Sequence, residues 1–169
     1  MGNVRDLSEQ LFSGAVSTAS VNPVTAMLGL EEYADGLAFI SGFANVTAVS
    51  TEVGLLLIDT GAPFTGEVMR MQLRGWSSAP VHTAVYTHGH VDHALGIFAF
   101  DREASERKAR PIEVVSHVAV PARFARYKQT AGWNTHINAR QFRIPGVMEG
   151  TVKPDYAESV GVATKAAQG

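Results

Sequence analysis

The 169-residue chain has no cysteine. It therefore holds no disulfide framework and supplies no thiolate to a metal, although this absence identifies no compartment. Charge of one sign is also lacking. Fourteen Lys and Arg against sixteen Asp and Glu leave a formal net charge of −2, which gives no footprint for nucleic acid or an anionic membrane. No apolar run approaches the length of a transmembrane helix. The opening "MGNVRDLSEQLFSG" carries acids and no continuous apolar segment, so it does not read as a secretory signal. Asp6 stands where a myristoylation signal needs Ser or Thr. These absences predict a soluble, cytoplasmic protein with a small-molecule substrate and neither a nucleic-acid nor a membrane partner. With 46% hydrophobic and 18% charged residues, the chain has the composition of an ordinary globular protein of one domain.

The texture changes along the chain. Residues 1–33 are weakly periodic and contain "VNPVTAMLGLEEYADG", so they read as a loop-like lead-in. Residues 34–142 are patterned, and 143–169 form a small, polar, poorly specified tail. "LAFISGF", "NVTAVST" and "VGLLLIDTG" are three short β-type runs at the spacing of a meander. The third ends in the turn signal "IDTGAP". Val68, Met71 and Leu73 then recur at roughly helical spacing, which predicts a helix from Thr65 to about Arg74. "VHTAVYT" alternates as a strand, and "FDREASERKARP" reads as an exposed helix or loop. "IEVVSH" is another strand, and "VPARFARYKQTAG" a helix with Pro121 in its first turn. From Trp133 the signals fade. The order predicts an α/β fold, a layered sheet with helices on one face.

Three of the six histidines fall in "THGHVDH", directly after a strand. In a tight loop, His88 and His90 can converge on one point, with Gly89 permitting an unusual backbone angle. Asp92 and His93 can converge on a second point nearby. Neutral imidazole and carboxylate suit zinc, iron or manganese, and the lack of thiolates argues against a closed structural zinc site. A catalytic metal needs an open position for water, whose pKa it lowers. Loops at strand ends are where such sites sit. The bland alternative is a histidine-rich surface loop, which would crowd three imidazoles together with nothing to hold them.

The stretch resembles the H-x-H-x-D-H signature of the metallo-β-lactamase fold hydrolases. "GLLLIDTG" is similar to the strand-end Asp-Thr-Gly that precedes that signature, and "GFANVTAV" to the strand pair before it. With "SHVAVPARFARYKQTAGWNTHINARQF", the likeness is nearest to the alkyl-sulfatase-like branch and covers about Asp35 to Phe142. The resemblance implies that His88 and His90 hold one metal. Asp92 and His93 hold a second, and Asp92 also orients or deprotonates the attacking water. It implies zinc, two ions in a complete relative, with iron or manganese as alternatives. Asp59 is implied to be a buried residue that ties the motif loop to the meander, a reading compatible with a turn-forming Asp. The implied reaction is hydrolysis of an ester, thioester, amide or sulfate ester. A mononuclear iron oxygenase of the same fold is the alternative enzyme. Flavin-linked di-iron relatives resemble H-x-E-x-D-H, and here the second position is His90.

The resemblance also implies an αββα sandwich, of which this chain supplies the first half and a short tail. The later ligands of the family have no counterpart after Phe142, so the expectation is a truncated chain with an incomplete site. A non-catalytic fragment that binds metal or a partner is the reading from a different class. A sheet lacking its facing sheet predicts self-association or a complementary half-domain. His117, on a strand-to-helix corner, reads as a packing or hydrogen-bonding residue before a ligand. His136 reads as a loop residue, and His82 as structural. Arg123, Arg126 and Lys128 read as a solvated helix face, with an anion-facing role as the alternative.

Overall fold

The computed structural model describes residues 4–21 and 28–142. The tail expected over 143–169 lies outside them. Contacts divide the chain into two compact units. Among the described residues, one takes in those up to His88 together with Asp92–Ser116; the other comprises Gly89–Val91 and residues 117–142.

The first unit is built on a six-stranded sheet whose spatial order follows the sequence. Its strands are β1 (Gly29–Ala34), β2 (Leu37–Ser41), β3 (Val46–Thr51), β4 (Gly54–Ile58), β5 (Val81–Val85) and β6 (Glu113–Val115). The first four form the expected antiparallel meander, and β4, β5 and β6 then run parallel. Parallel neighbours need crossovers, which helices α2 (Gly66–Trp76) and α4 (Ile97–Glu106) supply. The short α3 (Val91–Ala94) lies between β5 and α4, and α1 (Val4–Phe12) precedes the sheet.

Register decides which side chains meet. Ala38 pairs with Ala48, Ala48 with Leu57, and Leu57 with Ala84, so these four share one face. All four are fully buried, as are Ile40, Val46 and Leu55. Met69 and Leu73 of α2 and Phe100 of α4 are likewise closed off from solvent. Helices therefore cover this face, as the pattern predicts. The other face carries Leu37, Phe39, Val49, Leu56, Ile58 and Val85, none of them fully buried, and Val115 at the edge is 47% exposed. "LAFIS" and "GLLLI" thus each send one set of side chains into the core and another to a half-open apolar face.

Three expectations need correction. Residues 1–33 are not loop throughout, because they contain α1 and β1. Glu31 and Glu32 hide β1 from an apolar pattern, yet charge is what suits an edge strand. Arg5 of α1 donates its backbone N–H to Glu31 and lays its guanidinium over Tyr33, 5.0 Å from the ring centre. Within α2 the inward side chains are Met69 and Leu73, while Met71 is 54% exposed. The predicted stripe was off by a fraction of a turn. Finally, α6 (Ala131–Phe142) continues helix past Trp133, where sequence signals fade.

Between α2 and α4 lies a polar network. Glu103 is 6% exposed and accepts hydrogen bonds from Arg70 (2.9 Å) and from Nε of Arg74 (2.9 and 2.8 Å). Arg107 pairs with it at 3.2 Å. Burial alone would raise the Glu103 carboxyl, but Arg74, Arg70 and Arg107 outweigh it and hold it below the ordinary value. Arg74 also donates to the carbonyls of Ser77 and Ala79, fixing the turn from α2 into β5.

In the second unit, α5 (Val120–Gln129) buries Val120 and Phe124 and is followed by α6.

Candidate metal centre

The Asp-Thr-Gly after β4 is a joint, and each letter has a separate task. Asp59 sits at φ 57°, the left-handed region that Asp and Asn tolerate better than most residues. That turn aims its buried carboxylate at the loop after β5. Thr60 donates its backbone N–H to the carbonyl of His93 (2.7 Å) and its hydroxyl to that of Ala94 (2.7 Å). It thereby satisfies carbonyls that the end of short α3 would leave unpaired. Gly61 (φ 80°) accepts the N–H of Gly96 at 2.8 Å. Gly96 itself admits no side chain, because a Cβ there would collide with the Thr60 carbonyl.

The Asp59 carboxylate organises the histidine loop. One oxygen, Oδ1, accepts the backbone N–H of Thr87 at 2.8 Å. The other, Oδ2, accepts the Thr87 hydroxyl at 2.7 Å and lies 2.8 Å from Nδ1 of His93. A carboxylate only accepts, so Nδ1 of His93 is the donor, and in the neutral ring Nε2 keeps its lone pair. That Nε2 lies 3.7 Å from Oδ2 of Asp92, beyond hydrogen-bond reach. The rings of His88 and His93 are 4.4 Å apart, and Nδ1 of His88 is 2.8 Å from the Thr87 hydroxyl. Asp59, His88 and His93 each place one potential ligand atom within 4.8 Å of the others. We read Asp59 as support and not as a ligand, since both its oxygens are already engaged by Thr87 and His93. Both readings of Asp59 from sequence hold: it makes the turn and it ties the loop to the meander.

Of the four predicted ligands, His88 and His93 come together beside Asp59, and Oδ2 of Asp92 lies 3.7 Å from Nε2 of His93. His90 is exposed and belongs to the second unit with Gly89 and Val91. Gly89 is not at positive φ, so the expected reason for it is wrong. Its backbone instead lies against Arg123, whose Cγ would be 3.0 Å from an added Cβ. Thr87 is the functional candidate that sequence reasoning missed. The available signal was a hydroxyl placed directly before the first histidine.

The remaining histidines hold other posts. His117 is exposed, and its Nδ1 lies 3.2 Å from the Ala119 N–H at the start of α5, in line with the hydrogen-bonding reading. His82, at the start of β5 and away from the motif, has Nδ1 2.6 Å from the Thr83 hydroxyl. His136 lies within α6 beside the Trp133 ring, so it is a helix residue and not a loop residue. Arg123 lays its guanidinium 5.2 Å from the Tyr127 ring centre, while Arg126 and Lys128 are exposed. That arrangement is a solvated helix face.

The chain is similar to several known proteins. The yeast Saccharomyces cerevisiae alkyl/aryl-sulfatase BDS1 is 29% identical over 101 residues, 56% of this chain and 15% of its own length. A sec-alkylsulfatase, Pisa1 from Pseudomonas sp., is 30% identical with a TM-score of 0.40, covering 51% of this chain and 14% of that one. A metallo-beta-lactamase of Cronobacter sakazakii with a HARLDQ motif is 18% identical with a TM-score of 0.50, over 66% of this chain and 39% of its own. This last likeness shows the fold alone. The chain spans 4% and 15% of the length of the curated relatives it matches. Residues 41–145, more than half the sequence, match the family described as the metallo-beta-lactamase superfamily. With a strand-end histidine loop braced by Asp59 and that match along most of the patterned region, the chain belongs to the metallo-beta-lactamase superfamily.

Proposed function

We propose that this chain carries the metal-binding loop of a metal-dependent hydrolase that acts on an ester, thioester, amide or sulfate ester, with a sulfate ester favoured. The observation that carries the reading is the convergence of His88 and His93, both tied to Asp59 through hydrogen bonds that end at Nδ1. Identity to an alkyl/aryl-sulfatase supports the choice of ester. The donor set fits a borderline divalent cation: imidazole nitrogens and the Asp92 carboxylate, with no thiolate in the chain. Zinc is the first choice, and iron or manganese suit the same donors. His88, Asp92 and His93 would hold it. When bound, the metal supplies Lewis acidity and brings the pKa of a water toward neutrality.

The residues do the rest. Asp59 fixes the His93 ring through Nδ1. Asp92 offers Oδ2 on the side of His93 Nε2 and takes the proton of the attacking water. The backbone joints at Thr60 and Gly61 keep the loop from drifting, which matters because small misplacements cost large factors in rate.

A second reading, metal binding without turnover, is favoured by one observation. Among the described residues, the donors gathered into one group are Asp59, His88 and His93, with Asp92 placed 3.7 Å from His93. The half-open apolar face supports a related proposal, that a second copy or a complementary half-domain covers it. Among the described residues, no helix is long and apolar enough to cross a membrane.

The test is hydrolysis by the zinc-, manganese- and iron-loaded chain of aryl and secondary-alkyl sulfates, acyl esters, thioesters and a β-lactam. Sulfate-ester turnover that a chelator abolishes is expected. Metal bound with no turnover of any of them would leave the second reading standing and overturn the first.

A further inference from the structure

Thr87 links the two histidines that lie closest to Asp59, and its hydroxyl cannot be placed arbitrarily. Its oxygen lies 2.7 Å from Asp59 Oδ2 and 2.8 Å from His88 Nδ1. A hydroxyl has one proton to donate and can accept as well. The proton belongs on the Asp59 side: two oxygens at 2.7 Å need one between them, and a hydrogen bond to a carboxylate is the stronger of the two. The hydroxyl oxygen then faces His88 as an acceptor. His88 Nδ1 must be the donor.

We propose that Thr87 is a positioning residue that carries the orienting effect of Asp59 on to His88. Asp59 sets the Nδ1–H tautomer of His93 directly and that of His88 through the Thr87 hydroxyl, so both rings turn Nε2 outward. One carboxylate thereby prepares two ligands. The Thr87 backbone N–H, bonded to Asp59 Oδ1, holds the relay in register whatever the side chain does. The role of these rings as ligands rests on the proposed function, but the tautomers exist without metal. The two ideas therefore fail separately.

The experiment uses the full chain, stripped of metal, with long-range proton–nitrogen NMR correlations to read the tautomer of each assigned histidine, followed by zinc titration in competition with a chelating dye. In the wild type, His88 and His93 both show Nδ1–H. Thr87→Val removes the hydroxyl at nearly constant shape. It is expected to shift His88 toward the Nε2–H form, leave His93 unchanged and weaken zinc binding on the order of 10-fold. Thr87→Ser keeps the hydroxyl and restores both readings. A wild-type His88 protonated on Nε2 overturns the proposal, even if Thr87→Val does not fold. So does a folded Thr87→Val with His88 and zinc affinity unchanged, or a Thr87→Ser that behaves like Thr87→Val. A wild type with the expected tautomers but no affinity for zinc would sink the proposed function and leave the relay intact.

Discussion

Asp59 and Glu103 are both 6% exposed, and both sit at the centre of a polar network in the first unit. What surrounds them differs. Glu103 is met by Arg70, Arg74 and Arg107, whose charge is permanent, and the network closes on itself between α2 and α4. Asp59 is met by the Thr87 hydroxyl, which reaches on to His88, and by Nδ1 of His93. A carboxylate ringed by guanidinium groups is a clamp. One that holds imidazoles by a single nitrogen passes its geometry outward to whatever the other nitrogen binds. Burial alone would not separate the two.

Changes at the Asp59 end should therefore alter ligand chemistry, and changes at the Glu103 end should alter stability. The largest effect is expected at Asp92. Asp92→Asn keeps size but not proton acceptance, so kcat for whichever ester is turned over should fall about 100-fold or more, with the melting temperature nearly unchanged. Paired steady-state kinetics and thermal melts check this, and full kcat would remove Asp92 from the chemistry. Asp59→Asn comes next. Asn also tolerates φ near 57°, so the backbone turn survives and the lost carboxylate is isolated. Zinc affinity should drop on the order of 10- to 100-fold, as read by competition titration.

Glu103→Gln sharpens the other side. It should cost about 2 kcal/mol at pH 7 in denaturant unfolding and leave metal affinity alone. The sign of its pH dependence follows from the lowered carboxyl. The stability that Glu103 contributes is present above its ordinary value of 4.5 and is lost as pH falls through the lower folded value. Wild type and Glu103→Gln should thus converge in acid. A gap that stays constant to low pH would mean that the arginines do not stabilise the charged form. Thr60→Val is the smallest change, about 1 kcal/mol for the hydroxyl lost to Ala94, with a modest loss of metal affinity because α3 carries Asp92 and His93.

The legible parts of the sequence were those where one physical signal dominated. Leu55, Leu57 and Ala84 alternate with residues of the opposite face, and the strands follow. The histidines of "THGHVDH" announce themselves by type. Where two signals competed, the reading slipped. Glu31 and Glu32 concealed β1 because edge strands are charged for reasons unrelated to the core. Met69 packs inward while Met71 does not, because tertiary packing and not spacing alone chooses the buried stripe. Gly89 is small to admit Arg123, a contact from a distant part of the chain that no local rule foresees. Thr87 escaped for a related reason: its role exists only once Asp59, 28 positions earlier, is beside it.

The central claim is that the Asp59-braced histidine loop binds a metal. It is tested most directly by elemental analysis of the purified wild type beside the double variant His88→Ala, His93→Ala, both loaded with zinc and desalted. The account predicts at least one equivalent of zinc per wild-type chain and almost none in the variant, with similar far-UV circular dichroism. Equal metal content in the two would contradict it.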